Sequence, residues 1–284
     1  MEFYYGNVVL LTGASSGIGK LTAEHLAELG CRVYGTSRKG EHGTIVFPNY
    51  STNNSTQPTQ KGFVKMVQLD VCDDMSVKDA IDYVMQEEGR IDVLINNAGF
   101  GISGAIEETS EKEAFSQFNT NFFGMHRMCR RVLPIMRRQK KGLIINIGSV
   151  AGTFAIPYQS MYSASKSAMK SFTEALRMEV QDFGIKAVII EPGDTQTGFT
   201  DNRYYSQESE NTSYPKGKAS IEKMIKDERN GERPVGVAQT IGKLLNAKNP
   251  PSRITIGLVY KVFTQLKRVL PGRLVEFILG KMYG

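Results

Sequence analysis

Short apolar runs alternate with longer helical patterns along almost the whole chain, and that order leaves few folds open to it. Residues 8–11, VVLL, read as a buried strand. Residues 17–29 then carry a helical apolar pattern in Ile18, Leu21, Leu26 and Leu29, and the pattern stops at Gly30. Strand patterns recur at 32–36, 64–69, 93–95, 143–147, 187–190 and 253–256. Helical patterns at 75–87, 111–136, 158–183 and 234–246 lie between them. Such alternation is met by crossover connections, so the spacing predicts a single α/β domain. Its core is a doubly wound parallel sheet of about seven strands flanked by helices. The chain has 284 residues, 40% of them hydrophobic, which one domain of this class accommodates.

Three stretches interrupt the pattern. Residues 40–62 are polar, with Pro48 and Pro58, and read as a surface insertion in which residues 45–47 form a short extended piece. Residues 192–218 show little periodicity and read as loop, and 194–230 as a whole is assigned to a substrate lid. Residues 257–284 form an amphipathic tail in which Lys261, Lys267, Arg268, Arg273 and Lys281 punctuate apolar residues. Proline and polar clusters of this kind break regular structure, because they remove or compete for backbone hydrogen bonds.

The first turn is Thr12-Gly13-Ala14-Ser15-Ser16-Gly17-Ile18-Gly19. Placed between a strand and a helix, its glycines let the backbone approach a pyrophosphate, and the helix N-terminus offers free N–H groups and a positive dipole end. This is a Rossmann-type dinucleotide site. Two other motifs overlap it. Gly13-Ala14-Ser15-Ser16-Gly17 fits the nucleophile elbow of serine hydrolases, but that chemistry needs a later histidine, and the histidines are His25, His42 and His126. A P-loop needs a Ser or Thr after the lysine, whereas Lys20 precedes Leu21. After the second strand, Ser37 stands where an acid would hold the ribose 2′-hydroxyl of NAD. Arg38 and Lys39 follow, and their charges favour a 2′-phosphate, hence NADP(H).

Tyr162-x3-Lys166 puts a phenol and an ammonium on one helix face. The ammonium is expected to lower the phenol's pKa and make it a general acid/base. Ser149, just past the strand at 143–147, can steady a substrate oxygen at the carboxyl edge of the sheet. Asn121 lies on a helical stretch that could run beside the tyrosine helix, where its amide could anchor a water serving Lys166.

In this order the motifs resemble the short-chain dehydrogenases/reductases over nearly the whole chain: Gly13-x3-Gly17-x-Gly19, Asp70, Asn96-Asn97-Ala98-Gly99, Asn121, Ser149, Tyr162-x3-Lys166 and Pro192-Gly193. The tail's pattern is similar to the hydroxysteroid- and retinol-oxidising branch. The resemblance implies that Asn121, Ser149, Tyr162 and Lys166 form a catalytic tetrad, with Lys166 also holding the nicotinamide ribose. It implies cofactor contacts from Gly13, Ser15, Ser16, Gly17, Ile18 and Gly19, from Asp70 and Val71 near adenine, and from Asn97, Ala98 and Gly99. Pro192, Gly193, Thr195 and Thr197 complete the set, with Thr197 at the carboxamide. Thr195 departs from the aliphatic residue usual at its position.

The implied activity interconverts a secondary alcohol and a ketone or aldehyde with NADP(H). Phe100, Ser103, Ile156, Pro157 and Tyr158 are expected near a substrate pocket, and Phe199 over it. An apolar substrate (steroid, retinoid, sphingoid ketone or similar) suits such a pocket. A catalytically silent Rossmann binding protein is the alternative, because a fold does not dictate activity. Formal net charge is +6 with no long basic block, so nucleic acid is not an expected partner. Cys31, Cys72 and Cys129 lack paired spacing, which fits a reducing cytoplasm, and the histidines lack metal-ligand spacing. By analogy with the family a homodimer or homotetramer is expected, with the tail packed on the lid or another subunit in preference to a membrane.

Overall fold

A computed structural model describes residues 3–39, 43–47 and 62–283. In chain order the elements are β1 (Val8–Thr12), α1 (Gly17–Glu28), β2 (Arg32–Ser37), β3 (Thr44–Phe47), β4 (Gly62–Gln68), α2 (Asp74–Glu88) and β5 (Val93–Asn96). Then come β6 (Ile102–Ser103), α3 (Glu111–Phe118), a π-helical turn (Asn119–Phe123), α4 (Gly124–Gln139), β7 (Gly142–Ile147), α5 (Ser160–Glu179) and β8 (Ile185–Pro192). The chain continues through β9 (Tyr204–Tyr205), α6 (Gly217–Arg229), α7 (Val235–Leu244), β10 (Arg253–Ile256), α8 (Leu258–Leu266) and α9 (Gly272–Tyr283).

The sheet runs β10-β8-β7-β5-β1-β2-β4-β3. Seven of these strands are parallel, and the eighth, β3, pairs antiparallel with β4 at the edge. The rest of the polar insertion lies outside the described residues. From β1 the chain winds outward through β2 and β4, then returns to the other side of β1 at β5. That reversal opens a cleft beyond the carboxyl ends of β1 and β5, where ligands bind in sheets of this kind.

Both faces of the sheet are covered, which is why its strands read as continuous apolar runs. In β1, Val8 and Leu10 pack into a cluster with Val77, Val84, Met128, Val132 and Leu176 from α2, α4 and α5. Val9 and Leu11 face the opposite cluster, with Leu26, Val237 and Ile241 from α1 and α7. The period-two alternation decides which layer each side chain joins. Each fully buried Leu or Ile contributes roughly 1.5–3 kcal/mol of hydrophobic stabilisation.

The structure corrects three boundaries. The helix expected at 111–136 is interrupted by the π turn, which inserts one residue into the helical repeat and turns Asn121 inward. The helix expected at 158–183 starts at Ser160 and ends at Glu179, with a 3-10 turn over Gln181–Phe183. The expected loop at 192–218 carries β9, because Tyr204 and Tyr205 pair with Ile102 and Ser103 of a distant segment. A two-residue pairing leaves no periodicity to read.

Candidate active site

The glycine turn is built for close approach. Gly13 and Gly17 sit at φ +69° and +54°, where a side chain is strained. Gly19 has no room: a Cβ there would stand 2.0 Å from the Gly13 carbonyl oxygen and 2.6 Å from Asn97 Nδ2. Asn97 ties the turn to β5. Its Nδ2 donates to the carbonyls of Thr12 (3.0 Å) and Gly13 (2.9 Å), and its N–H donates to Thr12 Oγ1 (3.0 Å). Ala98 N–H donates to the same hydroxyl (3.0 Å). Asn97 and Ala98 thus hold the floor of the cleft.

Ser16 caps α1 in extended conformation, yet its side chain makes no capping hydrogen bond, and the first turn of α1 carries no acid. The N–H groups there remain for an anion. Ser15 and Ser16 are exposed, and Ile18 packs back on the core. At the end of β2, Ser37 is buried while Arg38 and Lys39 are exposed. Asp70 Oδ1 accepts from Cys72 N–H (2.9 Å) at the end of β4, with Val71 buried beside it. This uncapped helix end and the glycine cradle fit the pyrophosphate of a dinucleotide.

Tyr162 and Lys166 lie on the buried face of α5, 9% and 6% exposed. Ser149, just past the end of β7, caps a short 3-10 turn (Val150–Gly152) by accepting from Ala151 N–H (3.1 Å), and its hydroxyl neighbours the Tyr162 phenol. Lys166 Nζ donates to the Ile147 carbonyl (2.8 Å) and stands 5.7 Å from the Tyr162 ring centroid. Asn121 is occupied at both ends of its amide. Oδ1 accepts from Phe100 N–H (3.1 Å), and Nδ2 reaches the Phe100 carbonyl (3.0 Å) and Ser165 Oγ (3.2 Å). It therefore stitches the Gly99–Phe100 loop to α5. A Cβ at Gly99 would lie 3.1 Å from Asn121 Oδ1 and 3.8 Å from Lys166 Nζ, so the two groups flank one small space that only glycine leaves open.

Burial, and not the ammonium four residues on, dominates the acidity of the phenol. Burial pushes Tyr162 up to about 12, the Ser149 hydrogen bond pulls it partly back, and the more distant charges of Glu228, Arg203 and Asp194 act in mixed directions. Burial also pulls Lys166 down to about 8. In a dry site the neutral form of each group is favoured. Lys166 thus costs stability while charged. Between about 8 and its ordinary 10.5 the folded protein has released the proton and the unfolded chain has not, so stability rises with pH through that window. The stability deficit of the wild-type protein against Lys166→Met is expected to shrink, by on the order of 2 kcal/mol, from about pH 7 to about pH 10. Urea titrations at both pH values measure it; a deficit independent of pH contradicts a buried, depressed lysine.

The loop after β8 closes over the cleft. Gly193 lies under the Tyr260 ring, where a Cβ would meet Cδ2 at 2.0 Å. The Tyr260 hydroxyl donates to Asp194. Thr195 Oγ1 donates to the Gly193 carbonyl (2.8 Å), which gives its unusual hydroxyl a role in holding this turn behind Pro192. Thr197 packs near Gly17, 3.3 Å from where a Cβ would be. The Phe199 ring lies 5.4 Å from that of Tyr162 and covers it. Arg203, 6% exposed, pairs with Glu228 and donates to Ser103 Oγ (2.7 Å), so the Ser103 hydroxyl is engaged inside the lid.

Beyond Ser149 a cavity of about 670 Å³ opens between the turn after β7, α6 and the tail. Val150, Phe154 and Ile156 wall one side, and Phe263, Leu266 and Leu279 wall another. Asp194, Asp227 and Glu232 bring carboxylates to it, and Lys223 and Lys267 bring ammonium groups. Of the expected pocket neighbours Phe100, Ser103, Pro157 and Tyr158, none lines it; Ile156 does. The tail meets the lid at Asp194 and Asp227, the packing expected of it, whereas the place of Tyr260 over Gly193 was not foreseen. Tyr260 acts across 66 residues on a side chain that carries no motif, and no spacing signals such a contact.

A short chain dehydrogenase family model matches residues 7–208. Over 279 residues the chain is 44% identical to a 3-ketodihydrosphingosine reductase of Bacteroides thetaiotaomicron, covering 97% of each. Retinol dehydrogenase 8 of Bos taurus is 32% identical over 277 residues, 93% of this chain and 85% of that one. A short-chain dehydrogenase from Streptomyces avermitilis superposes with a TM-score of 0.78 at 32% identity, covering 93% of each chain. ElxO with NADP bound superposes with a TM-score of 0.68 at 26% identity, covering 90% of this chain and 99% of that one.

Proposed function

Because this chain belongs to the short-chain dehydrogenase family, we propose that it is an NADP(H)-dependent reductase that converts the ketone of a long, apolar substrate to a secondary alcohol. Among the substrates compatible with the sequence, the sphingoid ketones are the best supported. The relative at 44% identity over 97% of both chains reduces 3-ketodihydrosphingosine by name. The cavity offers apolar walls for a chain and carboxylates for a cationic head.

One observation carries the reading: Tyr162 and Lys166 come together with Ser149 at the carboxyl edge of the sheet, beside the Gly99 backbone, and Val150, next in the chain to Ser149, stands in the wall of an apolar cavity. A carbonyl oxygen lodged there accepts hydrogen bonds from the Ser149 hydroxyl and the Tyr162 phenol. When bound, the reduced nicotinamide supplies the hydride. Tyr162 Oη delivers its proton to the oxygen as negative charge builds on it. A phenol held up at about 12 stays protonated at neutral pH, the form that reduction requires. Lys166, fixed by the Ile147 carbonyl, has further N–H donors for a ribose hydroxyl and keeps positive charge near the phenolate left behind. Phe199 and the lid keep bulk water from the oxygen.

The test is a panel of ketones, from short and polar to long-chain 3-keto amino alcohols, followed at the NADPH absorbance band and repeated with NADH. Turnover should rise with chain length and with a cationic head, and NADPH should be preferred. Arg38→Ala should weaken NADPH on the order of 10-fold or more and leave NADH nearly unchanged. Equal losses for both cofactors would remove the 2′-phosphate contact, and a preference for short polar ketones would remove the substrate class.

A further inference from the structure

We infer that the outer face of the C-terminal helix pair is a docking surface for an anionic lipid bilayer. The helices α8 and α9 have two different sides. Inward, Phe263, Leu266 and Leu279 wall the cavity, and Tyr260 and Tyr283 bond to Asp194 and Asp227 on the lid side. Outward, Val262, Val269, Leu274 and Phe277 take no part in that wall. They stand in solvent, Val269 at 78% and Phe277 at 63% exposed.

Cations alternate with these outward apolar residues. Lys261, Arg268, Arg273 and Lys281 are all exposed, and Lys281 lies over the Phe277 ring. Between residues 258 and 283 the sequence holds a single carboxylate, Glu276. Exposed aliphatic and aromatic side chains interleaved with arginine and lysine are what a helix needs to lie in a membrane interface. The apolar groups enter the acyl boundary and the cations meet the phosphates. The helices have 9 and 12 residues, and among the described residues no helix is long and apolar enough to cross a bilayer, so the mode is flat and interfacial. Charge also argues against a second copy of this chain as the occupant. A two-fold contact through this face would oppose the same four cations to one another, with one carboxylate from each copy to offset them.

The inference does not depend on the catalytic reading, and its test requires no turnover. The full-length protein is sedimented with sucrose-loaded vesicles of phosphatidylcholine, with and without phosphatidylglycerol. Wild type should pellet with the anionic vesicles, stay in the supernatant with pure phosphatidylcholine, and be released as salt is raised. Arg268→Gln/Arg273→Gln should lower the partition coefficient on the order of 30-fold. Val269→Glu/Phe277→Glu should abolish binding, while circular dichroism and the thermal unfolding midpoint remain as in wild type. A wild-type protein that stays in the supernatant with anionic vesicles at low salt overturns the inference. So does undiminished binding by Val269→Glu/Phe277→Glu. Conversion of an oligomer to monomers by those two substitutions, seen by analytical ultracentrifugation, makes the face a subunit interface and overturns it as well.

Discussion

Tyr162→Phe is expected to lower the turnover number on the order of 10²–10⁴-fold and to leave NADPH affinity close to wild type. The substitution removes one oxygen and keeps the ring, so the packing against Phe199, with centroids 5.4 Å apart, survives and the lid closes as before. What disappears is the proton donor. The developing alkoxide would then keep only the Ser149 hydroxyl as its hydrogen-bond partner. The glycine cradle, Asn97 and Arg38 lie elsewhere and are untouched, which separates chemistry from binding. Single-turnover kinetics measure the first quantity and fluorescence titration of NADPH the second. A variant that turns over at a rate near wild type would show that the proton comes from another group.

Gly19→Ala is expected to weaken dinucleotide binding about 10- to 100-fold, equally for NADPH and NADH. The added carbon would lie 2.0 Å from a backbone oxygen of Gly13 and 2.6 Å from Asn97 Nδ2. Neither is the free end of a flexible side chain. Gly13 already holds a positive φ, and Asn97 is committed to three hydrogen bonds, so relief must come from moving the turn away from β5. Overpacking of this kind costs about 1–3 kcal/mol, and here the displaced backbone is the surface that meets the pyrophosphate. Isothermal titration with both cofactors measures the loss. A selective loss of NADPH alone would mean that the strain had been passed to the Arg38 side of the cleft.

Much of this site was readable along the chain. Gly13, Gly17 and Gly19 stand in one turn between a strand and a helix, and Tyr162 and Lys166 stand four apart on one helix. Their chemistry depends on separations within single elements, which local geometry determines. The parallel sheet was equally readable, because strands covered on both faces must be apolar throughout. The edge strand β3 and the bridge formed by β9 were harder, since two to four residues carry little pattern and their partners lie far away in sequence.

Other features arise only when the elements pack. Asn121 could be placed on a helix from its sequence, but the π turn that swings it onto Phe100 and Ser165 answers to the loop it must hold. Tyr260 stands over Gly193 because α8 folds back across the end of β8. The largest tertiary effect concerns acidity. Four residues of spacing suggested an ammonium that lowers a phenol's pKa, yet both groups are shut away from water, and each moves toward its neutral form. The amino-acid order by itself determined which groups share one face of a single element, as Tyr162 and Lys166 do, because that is a matter of distance along a helix or strand. Tertiary structure alone decided their protonation, because the cost of losing water depends on every atom packed around a charge and not on its neighbours in sequence.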